Sequence, residues 1–304
     1  MKLSICIPTY NRNDSLEECI KSINNLINKN KMNININIII TDNSNNNNLF
    51  KIKKKLIKIS KYKIFFLSEK KRGIVNSRNK CLKKLKSINP NYISFLDDDC
   101  TIDKSWIKNA FKIIKLKKAD VATGPQVYLS KSNGKILNYA EIFEKQYNGD
   151  KSHLVKWAAS NNVIVDYNII KKHKLIFNKK LNKFGVGEDQ LFFSNITKLG
   201  YKIFWNKNIK VYEKIHEHRQ TFKWLIERSY RLGVLGHFID IKEFGTIYGL
   251  FINYLKSIYY FFKSIISIFI LRKYYLERII DNFLRFFGRF IGPLFFDRID
   301  FYKK

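Results

Sequence analysis

Three consecutive carboxylates, Asp97-Asp98-Asp99, follow the apolar run Tyr92–Leu96. Adjacent acids at a strand end repel one another unless something cationic holds them. A hard divalent ion that bridges protein oxygens to substrate phosphates is such a partner, and Mg²⁺ or Mn²⁺ would serve. The plain alternative is a solvated acidic turn. Upstream stand Pro8-Thr9-Tyr10-Asn11-Arg12 and, after a second apolar run, Asp42. Hydroxyl, amide and carboxylate groups at neighbouring strand ends could read a nucleobase and a ribose. Arg72, Arg78 and Asn79 open the next helical stretch and could meet a pyrophosphate; a surface ion pair is the ordinary alternative for Arg78. A second acid pair, Glu188-Asp189, follows Gly187. There acids are also favoured simply by the exposed N–H groups and dipole of a helix start.

The elements that must position these groups are legible from periodicity. Leu3–Ile7 is a short apolar strand closed by Pro8. Leu16, Ile20, Ile23 and Ile27 recur at helical spacing. Residues 34–41 form a second strand, and the Asn-rich run after Ser44 reads as a loop. A basic helix over about 48–60 leads to a strand at Lys63–Leu67. A helix follows over Gly73–Ile88, then a strand at Tyr92–Leu96. This alternation predicts an α/β fold with a mostly parallel sheet flanked by helices, whose ligands bind at the carboxyl ends of strands. Between about 120 and 215 the pattern loosens into short strands and loops. Phe222–Leu232 is helical again.

Charge says less than its size suggests. Lys and Arg number 57 against 25 Asp and Glu, a formal net charge of +32 over 304 residues. Lys, Asn and Ile are jointly inflated (46, 32 and 45), and Lys exceeds Arg 46 to 11. Joint enrichment in residues with AT-rich codons points to drift in usage, and a phosphate-reading protein more often favours the Arg fork. No zinc-finger, RNP-type or basic-zipper pattern supports a nucleic-acid binder, so no nucleic-acid partner is expected. Cys6, Cys19, Cys81 and Cys100 are scattered, which fits a reducing cytoplasm better than a disulfide framework, and the N-terminal run does not read as a secretory signal. From about 245 the composition shifts. Residues 247–271 are nearly all apolar and aromatic apart from Asn253, Lys256, Lys263 and small polar residues. The segment is long enough for a bilayer, which needs about 20 residues. Each lysine at its centre would cost about 2.5–3.5 kcal/mol, so a helix lying in the membrane plane competes. Residues 245–304 carry ten Lys and Arg against four Asp and Glu, a balance that suits an anionic leaflet. A buried helical hairpin is the alternative.

The blocks PTYNR, TDNS, GIVNSRN, FLDDD and GVGEDQLF, in this order and spacing, resemble the family 2 inverting glycosyltransferases of the GT-A fold. RQTFKWLIERSYRLG and RFFGRFIGP are similar to a bacterial subgroup that builds exopolysaccharides such as succinoglycan. The resemblance covers nearly the whole chain. It implies a nucleotide pocket lined by Pro8, Thr9, Tyr10, Asn11 and Arg12, with Asp42 on the base and Arg78 on the base or phosphate side. It implies that Asp97 faces the ribose, that Asp98 is the variable middle acid, and that Asp99 ligates a divalent metal. Asp189 matches the general base, and Glu188 accompanies it in the acceptor loop. Direct displacement by the acceptor hydroxyl inverts the anomeric centre.

Two positions depart from the family pattern. Many relatives carry a metal-binding His where this chain has Glu213, with His216 and His218 close by. Lys223 of QTFKW replaces the Arg of the QxxRW motif found in processive synthases. At most one or two hydrophobic segments argue against a processive polysaccharide synthase with its secretion channel. Trp157 and Trp224 could stack on acceptor sugar or pack in the core. The expected layout is a GT-A domain over 1–240 and a membrane-associating helical region over 241–304. The expected donor is a UDP-sugar and the acceptor a lipid-linked or oligosaccharide glycan. The expected setting is cell-surface polysaccharide synthesis at the cytoplasmic face of the bacterial inner membrane.

Overall fold

The computed structural model describes residues 1–26, 33–44, 48–129, 152–269, 275–298 and 300. Residues that lie outside this set include Ile27, most of the Asn run and the end of the 247–271 segment. The chain divides into two compact units, Met1–Leu129 with Asn148–Lys214, and Ser130–Tyr147 with Ile215–Lys304.

The first unit is built as β1 (Lys2–Thr9), α1 (Asn13–Asn24), β2 (Asn35–Asp42), α2 (Asn48–Ile59), β3 (Lys63–Ser68), α3 (Ile74–Ile88) and β4 (Tyr92–Phe95). It continues with β5 (Cys100–Ile102), α4 (Trp106–Lys117), β6 (Val121–Thr123), β7 (Gln126–Leu129), β8 (His153–Val155) and β9 (Val163–Asp166). It closes with α5 (Tyr167–Lys172), α6 (Glu188–Lys198), β10 (Ile203–Trp205) and β11 (Val211–Lys214). Among the described residues, eight strands form one sheet in the order β3-β2-β1-β4-β9-β6-β10-β8. The half made of β3, β2, β1 and β4 is parallel, as the alternation of strand and helix predicts. Beyond it β9 runs antiparallel to both β4 and β6, and β8 runs antiparallel to β10, so the sheet as a whole is mixed. A small second sheet, β5-β11-β7, carries the chain past the acidic turn.

β1 explains why the parallel half forms. Everything from Leu3 to Thr9 is buried, as a strand covered on both faces requires. Side chains alternate between faces. Leu3, Ile5 and Ile7 join a core with Leu16, Ile20 and Ile23 of α1, Leu56 of α2 and Trp106 of α4. Cys6 faces the opposite core, with Val75 and Leu82 of α3, Phe95 and Phe192. Each buried Leu, Ile or Phe contributes about 1.5–3 kcal/mol. The register aligns Thr9 with Asp42 and Asp42 with Ser68, so polar groups collect at one edge. β4 pairs Phe95 with Cys6, which brings Asp97–Asp99 beside the end of β1.

In the second unit α7 (Phe222–Phe244), α8 (Thr246–Phe269) and α9 (Tyr275–Phe295) pack on one another. Thr221 caps α7 by accepting from the Trp224 N–H at 3.2 Å. Gly233 and Gly288 meet where α7 and α9 cross: a Cβ on Gly233 would stand 2.9 Å from the Gly288 Cα. Among the described residues no helix is long and apolar enough to cross a membrane. Lys256 is half-exposed, and its ammonium pairs with the buried Asp240 of α7 at 2.5 Å.

Candidate functional site

The polar edge of the parallel half is a network of charges. Asp98 lies deepest. Its carboxylate accepts from the Thr9 hydroxyl at 2.7 Å, the Tyr10 N–H at 3.4 Å and the Arg12 guanidinium at 3.0 Å. The same Arg12 Nη1 reaches Asp99 at 2.7 Å. The middle acid of the triplet is therefore tied to PTYNR as firmly as its neighbours are to their partners. Burial raises the Asp98 carboxyl to about 6, despite the opposing pull of Arg12. Asp97 is the exposed member, with its side chain 31% accessible. It receives Arg78 Nη2 at 3.0 Å.

Arg78 links the two acid groups. Its Nη1 donates to Glu188 Oε1 at 2.6 Å, 110 residues on. Its guanidinium lies 5.6 Å over the Phe177 ring, which stacks on Phe192 of α6 at 4.2 Å. Asn79 fixes Phe177 by two reciprocal bonds of 2.9 Å to its backbone. Burial works against the charge on Arg78, but Asp97, Glu188 and Asp189 outweigh it and hold the guanidinium protonated. Arg78 is thus no surface ion pair.

The glycines before the second acid pair have positive φ, 61° at Gly185 and 80° at Gly187, a region that costs other residues strain. They turn the chain so that Glu188 and Asp189 open α6. Asp189 accepts from its neighbour's N–H at Gln190, 2.7 Å, and more loosely from Ser160 N–H at 3.4 Å. Burial raises the carboxyl of Asp189, against the pull of Arg78. Burial and then the neighbouring Asp189 raise that of Glu188. Glu188 Oε2 has no hydrogen-bond partner.

Asp42 is buried, and its Oδ1 accepts from Ser44 N–H at 2.8 Å in a tight turn. Pro8 does not close the strand: it lies within β1 beside Thr41, and β1 runs on to Thr9 beside Asp42. Tyr10 is exposed under Arg72, 5.3 Å from its ring. Asn11 takes φ 54° in the turn before α1. Glu213 is buried and pairs in register with Cys100. Burial, then Glu213 and Asp99, push the Cys100 thiol up, so both acids border that thiol. Trp157 is half-buried against the core on the α3 side. Trp224 and His216 belong to the second unit; the His218 side chain lies outside the described set.

Among the described residues no three His, Cys, Asp or Glu are grouped to cage a metal. Mg²⁺ seldom needs such a cage: one or two carboxylates plus substrate phosphates usually suffice. Asp99 offers one such carboxylate, and its Oδ2 accepts from Arg12 Nη1 at 2.7 Å.

Some positioning residues escaped the sequence reading. Asn43 donates to Glu69 O and Lys71 O at 2.7 and 2.8 Å and accepts from Gly73 N–H at 2.6 Å. It thereby shapes the loop that launches α3 and Arg78. Asn162 receives Trp106 Nε1 at 2.8 Å and donates to Ile209 O at 2.7 Å, which steadies the stretch carrying Ser160. The signal was present in TDNS and WAASNN, but an amide in a loop is ordinary until its partners are known.

Residues 4–187 match the family model "Glycosyl transferase family 2". Among solved structures, S. aureus TarS is similar at 17% identity and TM-score 0.53. The match covers 96% of this chain and 55% of TarS, so the chain spans about half the length of that relative. TarS 1–349 in complex with UDP-GlcNAc is matched at 17% identity and TM-score 0.53, over 98% of this chain and 93% of that one. A mannosyltransferase from Pyrobaculum calidifontis, PcManGT in complex with GDP-Man and Mn²⁺, gives 11% identity and TM-score 0.63, over 96% and 87%. At these identities the likeness concerns the fold. No curated protein matches the chain.

Proposed function

The chain belongs to glycosyl transferase family 2, and from that premise we propose that it moves a single sugar from a nucleotide-diphosphate sugar, a UDP-sugar, to a hydroxyl of a lipid-linked or oligosaccharide acceptor, inverting the anomeric centre. One observation carries the reading: Arg78 joins the strand-end acids, through Asp97, to the Glu188-Asp189 pair. A donor laid along the polar edge would have its ribose and diphosphate at Asp97–Asp99 and its anomeric carbon toward α6. Asp189 then takes the proton from the acceptor hydroxyl as that oxygen attacks. Glu188 and Asp97 hold Arg78 in place, and Arg78 keeps positive charge beside both. Asp99 and Glu213 would hold a divalent ion, Mn²⁺ or Mg²⁺, which offsets charge on the departing diphosphate. The complexes of TarS with UDP-GlcNAc and of PcManGT with GDP-Man and Mn²⁺ support this donor class and metal. The acceptor is read as a growing cell-surface glycan at the membrane, in keeping with the aromatic, basic tail.

The test is a donor screen with purified protein and Mn²⁺, reading nucleotide release with and without acceptor. The Asp189→Asn variant should bind donor normally and transfer about 10²–10⁴-fold more slowly. Transfer at the parent rate would remove Asp189 from its role.

A further inference from the structure

Two helices of the second unit, α8 and α9, are built inside out. A helix of a water-soluble bundle turns its apolar stripe inward and its polar residues outward. On α8 the buried positions are Gly249, Asn253, Ser257 and Ser264, all small or polar. Its exposed positions include Ile247, Tyr248, Phe251, Ile258, Phe262 and Phe269. On α9 the buried positions are Asp281, Asn282, Gly288 and Gly292, while Phe283, Phe287 and Leu294 stand exposed.

The interior is held by polar bonds. Asn253 donates to Arg289 O at 3.0 Å and accepts from the Arg289 guanidinium at 2.9 Å. Arg289 also donates to Asp240 at 2.6 Å, and the Ser257 hydroxyl donates to Phe286 O at 3.0 Å. The ammonium of Lys256 completes the cluster on Asp240. Glycines let the helices approach: a Cβ on Gly288 would stand 2.8 Å from Tyr230 O, and one on Gly292 2.9 Å from Val234 O. Small residues at crossings, interhelical polar bonds and inward-facing charges are how helices associate in hydrocarbon, where exposed apolar side chains cost nothing.

We propose that the outward faces of α8 and α9 are immersed in the hydrocarbon of a membrane. This deepens the membrane placement proposed above and rests on it; sugar transfer does not depend on it. The balance of 15 Lys and Arg against eight Asp and Glu over residues 215–304 suits an anionic leaflet. A second copy of the chain would cover one patch, whereas the exposed apolar positions on α8 recur through its whole length, from Ile247 to Phe269.

The test is vesicle flotation of the full chain, with pure phosphatidylcholine vesicles and with vesicles containing phosphatidylglycerol, each at 0.1 M and 1 M NaCl. Immersion predicts flotation with both vesicle types and retention at 1 M salt. The triple variant Phe251→Glu, Ile258→Glu, Phe262→Glu should float at least tenfold less while keeping its helical circular dichroism and its nucleotide release. Should that variant not fold, Phe262→Glu alone should float several-fold less. Binding only to anionic vesicles, lost at 1 M salt, would overturn immersion and leave a surface placement standing. A discrete dimer that ignores both vesicle types would overturn both and identify a second copy as the cover. Nucleotide release measured in parallel keeps these outcomes separate from failure of the sugar-transfer reading.

Discussion

Asp189 is a half-buried carboxyl that must be ionised to accept a proton. Burial favours its neutral form, so it ionises at higher pH than an exposed aspartate, whose pKa is about 3.9. As pH falls through the raised value the base is protonated and transfer is lost. The acid limb of kcat/KM should therefore lie above the ordinary aspartate range, and a pH–rate profile checks it. Arg78 is the other residue on which the site turns. Arg78→Ala leaves a buried Glu188 without its cation, and breaking a buried pair costs about 3–5 kcal/mol. Urea denaturation should show that loss. The double variant Arg78→Met, Glu188→Leu should regain much of the stability but not donor binding, which separates the structural role of the pair from its chemical one. The sequence placed both residues near a phosphate or an acceptor; their mutual contact was hidden, because no local periodicity relates positions 110 residues apart.

At the scale of elements, the loop between β3 and α3 sets where Arg78 stands. Three bonds from the Asn43 side chain organise it, and Gly73 enters α3 at φ 121° with no room for a Cβ against the Asn182 amide. At about 0.5–1.5 kcal/mol per hydrogen bond, Asn43→Ala should cost about 2–4 kcal/mol. It should also raise the donor KM more than it lowers kcat, because it displaces a binding residue and leaves Asp189 alone. Thermal melts and steady-state kinetics check the two parts. Gly73→Ala should be more damaging than an ordinary helix-start substitution, through strain and collision together. The strands and helices of the parallel half were legible from apolar runs and helical spacing, with ends shifted by a residue or two, except that α1 stops at Asn24, short of Ile27. The antiparallel insertion of β9 was not: a four-residue strand with three apolar residues, Val163–Asp166, carries no information about which neighbours it joins or in which direction.

For the whole molecule, the metal proposal makes a direct prediction. A chelator should abolish transfer, and Mn²⁺ or Mg²⁺ should restore it; full activity in chelator would remove Asp99 and Glu213 from that role. The sequence by itself determined the alternation of strand and helix, the family, and the positions of the acids, because each is written in residue type and short-range spacing. The tertiary structure decided which cation each acid holds. Arg12 bridges Asp98 and Asp99, and Arg78 joins Asp97 to Glu188. It also decided which way Lys256 points. In sequence Lys256 is a charge within an apolar run; in the fold its half-exposed side chain ends on the buried Asp240, which Arg289 also holds. Partners are chosen by which strand ends and helix faces come together, and that adjacency is a property of the packed chain rather than of any segment within it.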